Sequence, residues 1–275
     1  LNSESLGYLK ELEYSMDQQL KKYSLNYFKA TVLTNFEMGW RNLEWGNMIQ
    51  LYPWSAYLAQ RSSGKSYEFC YAAPLWRLYS YDPPQFLVKD TVDNRNRKWT
   101  ILVTNESKLA NIHVGKMTEE INNNPILRDK LNAKGSSLGK EGVLTDTGSR
   151  LYTRSFGSTL RGPHPGGYFV DDFISRSALY SSDQRSKFHE AFFGEILPAV
   201  EPGGLLIVSG TPFHQDDLYG DLKKDHRFKV FEYPGIFPDG RLLAPDRFTF
   251  KYLMDLNKSL GSIVFSREIL VMPTS

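Results

Sequence analysis

The chain of 275 residues carries 33 Lys and Arg against 31 Asp and Glu, with 41% hydrophobic and 14% aromatic side chains. That composition supplies enough apolar surface for one large or two modest folded domains and excludes a disordered chain. A net charge of +2 excludes histone-like or tail-mediated binding of nucleic acid, so any such contact has to come from a local basic face. One cysteine, Cys70, excludes an intrachain disulfide and reads as a buried, inert thiol in a reducing compartment.

The opening residues 1–5 carry neither a basic nor an apolar run, so no secretory leader is expected there, and the missing Met leads us to expect a piece of a longer protein. Up to about residue 51 the pattern is helical. Leu9, Leu12, Met16 and Leu20 recur at steps of three and four, as an amphipathic cover would. Between about 57 and 213, short apolar runs alternate with polar helical stretches. The predicted strands are 55–60, 99–104, 150–155, 167–170 and 205–209, apolar on both faces, which indicates a mainly parallel sheet flanked by helices. No run approaches the roughly 18 residues of a membrane span.

Gly-rich segments at 135–142 and 157–167 read as loops. Beyond Phe213 the chain is punctuated by Pro234, Pro238 and Pro245, then turns helical at 248–260 and ends in an apolar run, after which more protein is expected. The expected division is 1–50 as a helical cover, 51–215 as the core, and 216–275 as a lid or linker. The terminal segments together form a small subdomain. Lys22, Lys29, Arg41, Lys223, Lys224 and Lys229 are scattered and read as solvated charges. Trp40, Trp45 and Trp54 read as core residues.

Residues 59–66, Ala-Gln-Arg-Ser-Ser-Gly-Lys-Ser, fit the phosphate-binding loop with Ala at its first position, between a predicted strand and a helix-compatible stretch, 67–79. Backbone N–H groups around Ser62, Ser63, Gly64 and Lys65 would cradle a phosphate at a helix N-terminus. Lys65 would neutralise phosphate oxygens, and Ser66 would ligate Mg²⁺. Arg61, inside the loop, is a second cation within reach of the terminal phosphate of ATP, with a structural salt bridge as its alternative.

Residues 167–172, Gly-Tyr-Phe-Val-Asp-Asp, form an apolar strand that delivers two carboxylates at its C-terminal end, where open α/β sheets bind ligands. Asp171 is expected to hold Mg²⁺ and Asp172 to polarise the attacking water, with Glu190 and Glu195 as distant fallbacks for the base. A third strand ends in Ser209, Gly210 and Thr211, small groups placed to sense hydrolysis. Asp216 and Asp217 read as a helix cap or a surface pair.

Taken in order, these motifs give the chain, from about Trp40 onward, a resemblance to the ATPase domain of the large terminase subunit of tailed bacteriophages. The resemblance rests on the loop Arg61, the strand at 101–104 with Ser107 and Ala110, Asn124-Pro125, the run 158–162, Asp171-Asp172, and the run 209–218. It implies an ASCE-type P-loop NTPase and an ATP-driven, Mg²⁺-dependent motor for double-stranded DNA. It further implies a ring, usually a pentamer, on the portal protein of a procapsid, a small terminase subunit as partner, and a C-terminal nuclease domain that this chain does not reach. The place of action so implied is the cytoplasm of an infected bacterium, with no membrane and no place in the mature virion. Ser209, Gly210 and Thr211 match the family's coupling motif. Arg161 matches the Arg that acts as a finger on the neighbouring subunit's nucleotide, with a local partner for the acidic pair as its alternative. A nucleotide-regulated DNA-binding or assembly module and a helicase-like P-loop ATPase are the other readings.

Overall fold

The computed structural model describes residues 3–80, 98–131, 138–139, 142–145, 148–158 and 164–273. Three helices, α1 (Ser3–Tyr23), α2 (Leu25–Thr31) and α3 (Trp40–Leu51), lead into β1 (Trp54–Ala59). After the loop at 60–64, α4 (Lys65–Tyr67) passes through a π-turn (Glu68–Ala72) into α5 (Ala73–Ser80). There follow β2 (Trp99–Thr104), α6 (Ser107–Asn123), α7 (Pro125–Leu131), β3 (Leu138–Gly139), β4 (Gly142–Leu144), β5 (Arg150–Ser155) and β6 (Gly167–Asp171). Next come α8 (Ser177–Tyr180), α9 (Ser182–Ala191), a second π-turn (Phe192–Ile196), α10 (Leu197–Ala199), β7 (Leu205–Gly210), α11 (Leu218–Lys224), β8 (Lys229–Tyr233), α12 (Phe250–Leu260) and α13 (Ser262–Glu268).

The strands form one sheet in the order β3-β4-β5-β2-β6-β7-β1-β8. From β5 to β8 every pairing is parallel, while β3, β4 and β5 pair antiparallel. Because side chains alternate along a strand, each central strand feeds two cores. Tyr57, Leu102, Phe169 and Ile207 face a layer built from α2, α3, the first π-turn, α5, α6 and α7. Their neighbours Leu58, Val103, Val170 and Val208 face α9, the second π-turn and α11. Both faces are covered, and strands buried on both sides account for the unbroken apolar runs in the sequence. β7 lies between β1, which carries the loop, and β6, which carries the acidic pair. The fold is thus an ASCE-type P-loop α/β fold.

Four features differ from the sequence reading. β8 pairs with β1 and extends the sheet beyond residue 215. Part of the expected loop at 135–142 forms the β3–β4 pair. The stripe on α1 does not act as a cover: Leu9, Leu12, Met16 and Leu20 are 40–56% exposed, and the helix is tied down instead by Trp76 Nε1, which donates to the Lys21 carbonyl, and by Tyr27, which donates to Asp17. Finally, Lys29 and Arg41 are buried, not solvated. Lys29 Nζ reaches Glu68 Oε1 and the Asn42 carbonyl at 2.6 Å each, while Asn42 donates to the other Glu68 oxygen at 3.1 Å. Burial pushes the Glu68 carboxyl up and the Lys29 ammonium down, and their mutual attraction opposes both shifts. This network pins the N-terminal helices to the π-turn one helical turn beyond the phosphate loop. Among the described residues no helix is long and apolar enough to cross a membrane.

Candidate nucleotide site

The C-terminal ends of β1, β6 and β7 deliver three short segments to one edge of the sheet, because adjacent parallel strands present the same end to the same side. The loop after β1 leaves the strand at Gln60 and bends through Ser62 at φ 63° and Gly64 at φ 91°. Positive φ suits Gly64, which has no Cβ, but strains Ser62. Burial extends to Ser63, whose hydroxyl has no hydrogen-bond partner among the described residues.

Lys65 joins the three segments. Its Nζ donates to Thr211 Oγ1 at 3.2 Å and lies 3.4 Å from Asp172 Oδ1. Thr211 in turn donates to the carbonyl of Ala59 at 3.1 Å, at the root of the loop. The phosphate loop, the acidic pair and the strand end 209–211 therefore meet at one ammonium group.

The two aspartates sit differently. Asp171 is fully buried, and its Oδ1 accepts from Ser209 Oγ. Its Oδ2 has no hydrogen-bond partner among the described residues. A buried carboxylate oxygen without a donor is costly unless a cation or water meets it. Together with Ser66 on α4, this donor set fits Mg²⁺, which takes one or two protein oxygens and fills the rest of its shell with water and phosphate. Asp172 has φ 42°, a strained conformation for a side chain with a Cβ, and its N–H donates to the Ser209 carbonyl at 3.0 Å. Burial pushes the Asp172 carboxyl above its ordinary range, with Lys65 pulling it back and Asp171 pushing it further up.

Ser209 is turned toward Asp171, so it orients the acidic pair. Gly210 has no room for a side chain, since a Cβ there would collide with Tyr219 Oη. Gly210→Ala is expected to cost about 3 kcal/mol through forced repacking of the buried Tyr219. Urea denaturation reads this directly, and an unchanged midpoint would contradict it. Asp217 accepts from the N–H groups of Phe213 and His214 and caps α11 through Tyr219 N and Gly220 N, so it shapes the turn after the site.

The predicted loop cation, Arg61, lies close enough to the site for its charge to draw the Asp172 carboxyl down. Its guanidinium is 71% exposed and lies 3.6 Å from Glu268 Oε2, and Glu268 also holds Arg267. Arg161 falls outside the described residues. Glu190 lies exposed on α9, and Glu195 lies in the second π-turn. Cys70 is buried, and burial raises its thiol well above the ordinary range.

Sequence reasoning missed His113, because a lone His on a helix carries no signal. It is 6% exposed on α6, and neither ring nitrogen has a hydrogen-bond partner among the described residues. Burial, helped by Lys116 and opposed by Asp172, lowers its pKa from 6.5 to about 4. The unfolded chain therefore binds a proton between those values that the folded chain refuses, so the contribution of this group to stability falls as pH drops through that window and levels off below about 4. At about 1.4 kcal/mol per pH unit the span amounts to about 3 kcal/mol. A His113→Leu chain should lose less stability than the parent between pH 7 and 4, and parallel curves would refute this.

Strand order and loop placement define a P-loop α/β architecture. No family model matches the sequence, and no curated protein matches it either. Among solved structures, the ATPase domain of the large terminase of Thermus phage P74-26, a point mutant, superposes with a TM-score of 0.61 at 12% identity, over 87% of this chain and 95% of that one. The large terminase of a second, thermophilic bacteriophage, in complex with ADP, gives 0.51 at 11% identity over 85% of this chain, and another crystal form of that protein gives 0.53 at 10% over 86%. This chain spans about half the length of that second terminase, 52–53%. The chain therefore has the fold of the phage large terminase ATPase domain.

Proposed function

We propose that this chain is the ATP-hydrolysing motor domain of a phage DNA-packaging terminase, using Mg²⁺-ATP to drive double-stranded DNA into a procapsid. The observation that carries the reading is the convergence of loop, acidic pair and coupling segment on Lys65 Nζ, with Thr211 at 3.2 Å and Asp172 at 3.4 Å. The fold shared with terminase ATPase domains, and the ADP complex of one of those proteins, support it.

In this reading Lys65 binds the outer phosphates, and the loop N–H groups of Gly64 and Lys65 cradle them. Asp171 and Ser66 hold Mg²⁺, which when bound supplies positive charge against the phosphate oxygens. Asp172 accepts the proton of the attacking water as the water oxygen bonds to the terminal phosphorus and the bond to ADP breaks. Phosphate oxygens compete with Asp172 for the Lys65 ammonium, so substrate binding frees the base. Ser209, which bonds the acidic pair, and Thr211, which bonds Lys65, relay that rearrangement to α11 through the turn held by Asp217. Arg161 of a neighbouring subunit completes the charge around the phosphate in a portal-bound ring that also engages the small terminase subunit.

The test combines multiple-turnover phosphate release from Mg²⁺-ATP with protection of double-stranded DNA from nuclease in portal-bearing procapsids. Sustained turnover together with ATP-dependent protection is expected. A single turnover per chain would instead favour a nucleotide-regulated assembly module, and strand separation without protection would favour a helicase.

A further inference from the structure

The phosphate loop is gripped from outside by two arginines from distant parts of the chain. Arg41, buried on α3, donates from Nε to the Ser63 carbonyl at 2.9 Å. Its two terminal nitrogens bind both carboxylate oxygens of Asp246, one of them at 2.9 Å. The next residue, Arg247, donates from Nη1 to the Ser62 carbonyl at 3.3 Å, and its guanidinium lies 3.5 Å from where a Cβ on Gly64 would stand. Asp246 Oδ2 lies 3.9 Å from Arg247 Nε, so the carboxylate bridges the two guanidinium groups. The segment carrying them is anchored by the fully buried Leu243, whose N–H donates to the Gly235 carbonyl at 3.1 Å.

A trans peptide unit points its carbonyl and the following N–H in opposite directions. Holding the Ser63 carbonyl on Arg41 therefore turns the Gly64 N–H away from Arg41. Holding the Ser62 carbonyl on Arg247 sets the preceding unit, whose Ser63 N–H points the opposite way and closes a turn onto the Gln60 carbonyl at 3.3 Å. Ser62 sits at a positive φ that an unbraced Ser would leave. We propose that Arg41, Asp246 and Arg247 are positioning residues that form a clamp, holding the phosphate loop in its phosphate-binding conformation and tying it to the segment that leads into α12. The inference deepens the ATPase reading and rests on it. Any displacement of that segment would be felt as a change in phosphate affinity.

The test is ADP binding by calorimetry and steady-state ATP hydrolysis for the parent, Asp246→Asn, Arg247→Gln and Arg247→Lys, with melting temperatures alongside. Asp246→Asn and Arg247→Gln should weaken ADP binding and raise KM for ATP about tenfold, with kcat within about twofold and melting temperature nearly unchanged. Arg247→Lys should recover most of the loss, because Arg247 makes one bond to the loop. Arg41→Lys, measured alongside, should itself weaken ADP binding, because Arg41 makes three bonds in a fixed fork that an ammonium cannot reproduce. Parental ADP affinity in both Asp246→Asn and Arg247→Gln would overturn the clamp, as would a loss that tracks melting temperature and is not recovered by Arg247→Lys. A parent that binds no ADP would overturn the ATPase reading itself.

Discussion

Asp172→Asn is expected to bind ATP at least as tightly as the parent and to turn it over at least about 100-fold more slowly. The amide keeps the shape of the side chain at its strained φ of 42° but cannot take a proton from water. It also gives up the charge that faces Lys65 at 3.4 Å, which leaves the ammonium freer for phosphate. Burial sets the Asp172 carboxyl above the ordinary carboxylate range, and a base whose pKa stands closer to the working pH transfers protons more effectively. The acidic limb of the parent's pH–rate profile should therefore lie above pH 3.8 and disappear with the substitution. Steady-state phosphate release combined with nucleotide calorimetry measures both effects. Parental turnover in Asp172→Asn would move the base elsewhere and leave this carboxylate a structural partner of Lys65.

The parts of this site that could be read in the sequence are those whose chemistry is local. The loop 59–66 and the acidic pair are short, and the strands that carry them are buried on both faces, so apolar runs ending in Gly-Lys-Ser or Asp-Asp mark them without knowledge of the rest. The clamp and the buried Lys29 network are illegible because their partners are far apart: Arg41 meets Asp246 across 205 positions, and Lys29 meets Glu68 across 39. An isolated basic residue on an amphipathic helix looks solvated until the chain folds a carboxylate against it. β8 escaped notice because this short edge strand, with an apolar pair set between Lys229 and Glu232, shows neither a continuous apolar run nor a clean alternation. Arg61 adds a pairing of the same kind: its position in the loop suggests a phosphate contact, and its exposed guanidinium also lies 3.6 Å from Glu268, on a helix placed there by tertiary packing.

Lys65→Ala is expected to lower turnover about 10³-fold and to weaken ADP binding. The Nζ touches two of the three segments at the sheet edge directly, and through Thr211 it reaches the Ala59 carbonyl at the root of its own loop. Without it, charge developing on the transferred phosphoryl group loses a buried donor, a loss that costs about 3–4 kcal/mol in comparable sites. A second consequence follows for the free protein. Lys65 is the strongest influence holding the Asp172 carboxyl down, so its removal raises that carboxyl further. A carboxyl raised in the folded state costs stability as pH climbs above its unfolded value, so the Lys65→Ala chain should lose more stability than the parent on going from pH 3.8 to neutral pH. Lys65→Ala/Asp172→Asn should remove that extra loss while leaving the chain inactive. Melting curves at the two pH values separate this electrostatic effect from general misfolding, which would lower stability equally at both. Turnover in Lys65→Ala equal to that of the parent would show that the loop binds no phosphate in the reaction.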